Sequence, residues 1–325
     1  MDKVLYTIGE ALIDFIPQTK GTSLKDVLHF ERAAGGAPAN VAAAVAKLGL
    51  RSAMVTKLGI DPFGDYLVET LQQSGVDTRY IFRTKEANTA LAFVSLTQEG
   101  ERDFCFFRNP SADMLLDEKD IEKIDLADIG ALHFCSVDLL DAPVKSAHKK
   151  MIEKAKQKGA IISFDLNIRL PLWDSEDACR KAVLEFLPYA DIVKLSDDEL
   201  TFLTGNSDIQ SGLPLLLSSN CKLILLTRGA AGSELITHQY SLHCSAVPVQ
   251  AVDTTGAGDS FIGAFLSSLL RDQVSLDRLS SLDSKTLESY LHFSSLYAAH
   301  TVTKKGAISA MASLEEIKAF AAEMR

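Results

Sequence analysis

The sequence predicts an α/β protein built on a parallel sheet with helices on both faces, and three observations carry that expectation. Short apolar runs rich in β-branched residues alternate with amphipathic stretches of helical period along most of the chain. All three of the clearest helical stretches begin at proline and end at glycine, the expected asymmetry of helix ends. At 325 residues the chain is long enough to bury a large core. The candidate buried strands, in order, are 4–8 (VLYTI), 52–58 (SAMVTKL), 131–135 (ALHFC), 160–166 (AIISFDL), 191–195 (DIVKL) and 222–227 (KLILLT). The helical stretches are 38–49, 62–75 and 143–159, and the portion beyond Asp259 reads as mostly helical.

Two places break this rhythm. Residues 12–16 (LIDFI) with 27–31 (VLHFE), and 89–97 (TALAFVSLT) with 102–107 (RDFCFF), read as antiparallel pairs, the second closed by a QEGE hairpin at 98–101. They predict a small β element at the edge of the main sheet, inserted at about 12–31 and 79–108. No repeat or linker divides residues 1–325, so one large domain is expected.

Composition excludes several classes. A net charge of −10 argues against a nucleic-acid partner held by phosphate attraction. No uniformly apolar run reaches the roughly 18–20 residues of a membrane span. The N-terminal MDKVLYTIGEALIDF is short-period and interrupted by Gly9, Glu10 and Asp14, as a first strand would be and a signal peptide would not. Five scattered cysteines without a CxxC pair point to reduced thiols and a cytoplasmic location.

The most informative segment is DTTGAGDSF, 253–261. Gly256, Ala257 and Gly258 open a helical pattern, so their amides and the helix dipole can hold an anion that glycine lets approach closely. Asp259 follows them, where a phosphate loop would usually carry lysine. An acid there caps a helix equally well. It can also take a proton from a hydroxyl while the neighbouring amides stabilise charge on the transferred group, as phosphoryl transfer to an alcohol requires. GxxxxGK[ST] is absent, and the window fails GxGxxG because Phe261 occupies the last position, so neither a Walker NTPase nor a dinucleotide site is supported.

Other loops carry compatible chemistry. Gly35 and Gly36 turn into a helix of small residues whose Asn40 has both donor and acceptor for a sugar. Asp14 is an acid within an apolar strand, which must be paired, exposed or bound to ligand hydroxyls. Arg108, after the 102–107 strand, is either a solvated turn residue or an anion or polyol contact. Asp165, Asn167 and Arg169 end one strand, and Asp197, Asp198 and Glu199 follow another, where they cap a helix or orient magnesium-bound water. Thr227, Gly229 and Gly232 form a turn suited to nucleotide phosphate or ribose. In a parallel sheet, loops after strands share one rim, where ligands gather.

GGAPAN near the N-terminus and DTTGAGDSF near the C-terminus resemble the two signatures of the ribokinase/PfkB family of sugar kinases, and the resemblance runs through TVTKKGAIS at 301–309. GEALIDF, ALAFVSL, FFRNPSADMLL, RLPLWDS and FLTG resemble its fructokinase branch. The resemblance implies a ribokinase-like three-layer α/β/α core with a mostly parallel central sheet and a small β-sheet lid. It implies ATP-dependent phosphorylation of a sugar hydroxymethyl group, with Asp259 as base and Gly256, Ala257 and Gly258 as anion hole. Asp14, Gly35, Gly36, Asn40, Arg108 and Asn167 then fall on the sugar side, and Arg169 near the transferred group. Lys194, Thr227, Gly229 and Gly232 fall on the nucleotide side. Glu199 would hold Mg²⁺ through water, and Asp253 and Thr255 a monovalent cation such as K⁺, helped by carbonyls near Lys304 and Gly306. Two positions depart from the family pattern: Ser196 stands where its Asn-x-x-Glu motif begins, and Leu166 gives DLN for the commoner DPN. Fructose is the expected acceptor, with 2-keto-3-deoxygluconate, ribose or a nucleoside as alternatives, and a non-catalytic sugar-binding homologue as the rival of another class. Apolar lid strands predict a homodimer through the lids.

Overall fold

The computed structural model describes residues 3–19, 21–96, 102–206, 208–217 and 220–324. Its strands are β1 (Val4–Ile8), β2 (Leu12–Pro17), β3 (Phe30–Gly35), β4 (Ser52–Gly59), β5 (Ile81–Thr84), β6 (Leu91–Leu96), β7 (Arg102–Phe107), β8 (Ile129–Cys135), β9 (Ile161–Asp165), β10 (Ile192–Ser196), β11 (Leu223–Thr227), β12 (Ser233–Ile236) and β13 (Ser241–Cys244). The helices are α1 (Ala37–Lys47), α2 (Pro62–Gln73), α3 (Glu118–Glu122), α4 (Pro143–Gln157), α5 (Glu176–Phe186), α6 (Asp197–Thr204), α7 (Ile209–Leu217), α8 (Ala257–Arg271), α9 (Leu276–Leu279), α10 (Ser284–Val302) and α11 (Leu314–Glu323).

Nine strands form the main sheet in the order β13-β12-β11-β10-β9-β8-β1-β4-β5. All neighbours from β11 to β5 pair in parallel, and only the β11–β12–β13 edge is antiparallel. Side chains alternate across the sheet and so feed two helical layers. On β1, Val4, Tyr6 and Ile8 join Val144, Met151 and Val183 from α4 and α5, whereas Leu5 joins Val41, Phe265 and Leu291 from α1, α8 and α10. This is the ribokinase-like α/β architecture expected from the sequence, and the order places the loops after β1, β9, β10 and β11 on one rim.

The lid differs from the expectation in four respects. It is a separate four-stranded sheet, β3-β2-β6-β7, rather than an addition to the edge of the main one. The chain leaves the main sheet at Gly9, whose φ of 141° redirects it into β2. The second lid strand begins at Phe30, not 27: β2 pairs with 30–35 from Pro17↔Phe30 to Leu12↔Gly35, which leaves Leu28 outside and 86% exposed. The two hairpin pairs are also joined through a parallel β2–β6 ladder, Ile13↔Leu91 to Phe15↔Phe93. Finally, Ile81–Thr84, expected within the lid insertion, pairs with β4 and closes the main sheet. The QEGE connection lies outside the described residues, and the β12–β13 pair was not foreseen.

Candidate active site

Helix α8 begins at Ala257, just after Gly256 in the left-handed region at φ 73°, and no side chain among the described residues caps its N-terminus. The Ala257 amide reaches the Thr254 carbonyl at 3.3 Å. The first-turn amides of Gly258 and Asp259 have no such cap and form a natural anion seat. Asp259 sits at the third helical position, and its Oδ2 accepts a hydrogen bond from Asn40 Nδ2 at 2.7 Å, joining α8 to α1 across 219 residues of sequence. Burial raises the Asp259 carboxyl above its ordinary range, and Glu199 adds to this, while the Asn40 bond, Lys194 and Arg169 pull it back.

Beneath the first turn of α8 lies a buried ion pair. Lys194 Nζ stands 3.1 and 3.0 Å from the two carboxylate oxygens of Asp165. A Cβ on Gly258 would sit 2.8 Å from that ammonium, so glycine keeps the helix start close to it. Burial alone would drive Lys194 neutral, but Asp165, Glu199 and Asp259 hold it protonated. Asp165 is raised even beside its lysine, because burial and the nearby Glu199 and Asp259 charges outweigh the attraction. The site thus holds a buried cation under the start of α8, on the strand that pairs with the one ending at Thr227.

Glu199 closes a capping box on α6: its Oε2 accepts from the Ser196 amide at 2.8 Å, and Ser196 Oγ accepts from the Glu199 amide at 3.1 Å. Its Oε1 accepts from the Ile168 amide at 2.8 Å, tying α6 to the loop of Asn167 and Arg169. Serine at 196 therefore does what the capping role needs. Asn167 is buried with φ 38°, and half-buried Arg169 donates to the Ile168 carbonyl at 2.9 Å. Magnesium meeting Glu199 would find each oxygen already accepting one amide, which fits contact through water better than direct ligation.

On the lid side, Asp14 Oδ2 occupies the space above Gly35, where a Cβ would lie only 2.1 Å away. Gly36 has φ 102°, and a Cβ there would meet the Glu10 carbonyl at 2.5 Å. The turn that follows is held by Glu10, whose Oε1 accepts from the Ala37 amide at 2.9 Å. Arg108 does not reach this surface as a solvated turn residue would: it is 6% exposed, and its Nη2 pairs with both Asp113 and Asp138. Glu10, Asp113 and Asp138 were missed in the sequence. The rule applied to Asp14, that an acid in an apolar run needs a partner, would have found Glu10.

Across the rim, Thr227 lies opposite Ser196, and Gly229 (φ 51°) has open space around it. Gly232 answers to packing, since a Cβ would strike the Cys244 carbonyl at 2.3 Å. Asp253 Oδ1 accepts from the amide and hydroxyl of Thr255, at 2.9 and 2.6 Å, and its Oδ2 from the Gly306 amide at 2.9 Å. The two predicted cation segments are thereby brought together, with Asp253 organising the loop. A cleft of about 950 Å³ lies beside this loop, between Arg32 on β3, Lys47 on α1 and Lys305, and does not include Asp259.

An acid that can accept a hydroxyl proton, set among uncapped amides and a buried ammonium, is suited to moving a phosphoryl group onto an alcohol. The model of the pfkB family carbohydrate kinases matches residues 2–314, and the chain belongs to that family of ATP-dependent carbohydrate kinases. Within the family it is similar to fructokinases: it is 46% identical to the probable fructokinase-2 of Arabidopsis thaliana over 311 residues, 95% of this chain and 92% of that one. Among solved structures, the fructokinase of Xylella fastidiosa with bound ATP superposes with a TM-score of 0.92 at 35% identity, covering 99% of each chain. A fructokinase double mutant of Vibrio cholerae O395, in its fructose-, ADP- and potassium-bound form, gives 0.87 at 32% identity, covering 98% of this chain and 99% of that one.

Proposed function

We propose that the protein is a fructokinase that transfers the γ-phosphoryl group of ATP to the 6-hydroxyl of D-fructose, giving fructose 6-phosphate and ADP. The observation that carries this reading is the Asn40–Asp259 bond at the start of α8, which holds a carboxylate beside first-turn amides that no side chain among the described residues caps. Asp259 accepts the hydroxyl proton as the oxygen attacks phosphorus. The Gly256–Gly258 amides take up charge on the transferred group, with Lys194 behind them and Arg169 alongside. Asp14, Gly35, Gly36 and Asn40 orient the sugar, and Thr227 and Gly229 receive the nucleotide. When bound, Mg²⁺ supplies charge neutralisation at the nucleotide phosphates, with Glu199 held to receive its water. Asp253, Thr255 and the Lys304–Gly306 carbonyls would hold K⁺. The choice of fructose is supported by the relatives named above.

The test is ADP release with Mg·ATP against fructose, ribose, 2-keto-3-deoxygluconate and adenosine in parallel. Preference for fructose supports the acceptor, preference for another keeps the chemistry and discards it, and no release with any of them refutes the reading. The lid is also proposed as the dimer surface: Phe107 is 60% exposed while its ring packs 5.3 Å from that of Phe93.

A further inference from the structure

The loop after β1 and the end of β7 meet in a buried cluster that the reaction scheme above does not use. Glu10 is 3% exposed, Asp113 and Asp138 are each 1% exposed, and Arg108 is the cation set among them. Its Nη2 pairs with Asp113 and Asp138, which leaves Glu10 without an ion pair among the described residues. Glu10 Oε1 accepts from the Ala37 amide at 2.9 Å, while Glu10 Oε2, Asp138 Oδ2 and the Nε and Nη1 of Arg108 are buried with no hydrogen-bond partner among the described residues. Three segments meet here. Glu10 lies where the chain passes from the main sheet to the lid, Arg108 where it leaves the last lid strand, and Asp138 just after β8 of the main sheet.

We propose that Glu10 is a positioning residue for phosphoryl transfer, holding the Gly35–Ala37 turn and, through α1, the Asn40 side chain against Asp259. The path is continuous. Ala37 is the first residue of α1, Asn40 lies one turn on with its amide bonded to the Gly36 carbonyl at 2.9 Å, and Asn40 Nδ2 reaches Asp259 Oδ2 at 2.7 Å. Gly36 passes close to the Glu10 backbone, since a Cβ there would lie 2.5 Å from the Glu10 carbonyl. The Glu10 carboxyl thus fixes the turn from one side and its own backbone from the other.

Charge sets the state in which Glu10 works. Three carboxyls face one guanidinium, so the cluster carries excess negative charge that burial penalises. The charged and titratable groups around Glu10 are Asp138, Arg108 and the buried Cys135 thiol, and the Ala37 amide and its own backbone amide favour its charged form. Burial and Asp138 raise its carboxyl well above the ordinary range against the pull of Arg108, and Asp138 is itself raised by burial. A proton on Oε2 removes one negative charge from the cluster and leaves Oε1 to accept from Ala37. Loss of that proton as pH rises through its raised value adds negative charge to the cluster and loosens the turn.

This rests on the kinase reading, and two readouts keep the failures apart. The first is hydrogen–deuterium exchange of peptides spanning 33–41, which needs no substrate. Glu10→Ala should speed exchange there, and Glu10→Gln, whose amide oxygen still accepts from Ala37 and which adds no negative charge, should restore protection. The second is steady-state turnover. Glu10→Ala should lower kcat/KM for fructose by on the order of 10- to 100-fold, Glu10→Gln should recover most of it, and in Glu10→Gln the fall of the wild-type profile with rising pH should flatten. If Glu10→Ala does not fold, the Glu10→Gln pH profile and exchange decide alone. Wild-type exchange in Glu10→Ala, or Glu10→Gln impaired as severely as Glu10→Ala, overturns the proposal. Wild-type enzyme inactive on fructose would overturn the acceptor while the exchange arm still judges Glu10.

Discussion

Replacing Asp259 with asparagine removes the base and little else. The amide oxygen that the substitution introduces can face Asn40 Nδ2, so the 2.7 Å bond and the α1–α8 contact can persist. The Gly256–Gly258 amides belong to the backbone and are untouched. Asp259→Asn should therefore bind fructose nearly as tightly as the wild type while kcat falls about 10²–10⁴-fold. At about 1.36 kcal/mol per decade, that is roughly 3–5.5 kcal/mol of transition-state stabilisation. The pH dependence gives a second signature. Burial raises Asp259, so its carboxylate, the form a base requires, is lost as pH falls through a value above the ordinary aspartate range. Wild-type kcat should show that acidic limb, and the residual activity of Asp259→Asn should lack it. The assay is coupled ADP release from pH 5 to 9, with sugar binding measured separately by calorimetry. Turnover within a few-fold of wild type refutes Asp259 as the base. A large rise in sugar Kd with unchanged kcat would make it a binding residue instead.

Gly36→Ala must adopt φ 102° with a Cβ 2.5 Å from the Glu10 carbonyl, so strain and overpacking together cost roughly 2–6 kcal/mol; a lower Tm and a raised sugar KM are expected, and wild-type values for both would contradict the turn's role. Lys194→Met leaves Asp165 as an unpaired buried carboxylate, a loss of about 3–5 kcal/mol in denaturant unfolding at neutral pH. Because protonation relieves a carboxylate whose folded-state affinity for protons is raised, that deficit should shrink as pH falls; a deficit that grows would be the wrong sign. Phe107→Glu on the exposed lid face should convert a dimer to monomer by light scattering at micromolar concentration, and a wild-type monomer would end the dimer proposal.

Much of the fold was legible because periodicity is a local property. The strands at 4–8, 131–135 and 191–195 reappear in the structure within a residue or two, as does the helix after GGAPAN, since each carries its own apolar pattern and breakers. The lid was read less well for a physical reason. Which strand accepts Ile81–Thr84, and whether Val27 or Phe30 begins pairing, depends on the partner's register rather than on the segment's own sequence. Val27 and Leu28 are as apolar as any strand, yet β2 runs out of pairing at Pro17.

The same division holds at the site. By itself the sequence determined that glycines open a helix before Asp259 and that polar loops follow the parallel strands, because backbone freedom and helix starts are written in neighbouring residues. Only the tertiary structure decided that Asn40 meets Asp259, that Lys194 lies under Gly258, and that Arg108 is turned inward onto Asp113 and Asp138. Those outcomes rest on polar and charged groups, most of them far apart in the chain, meeting in a buried space where leaving a carboxylate or guanidinium unpaired is costly.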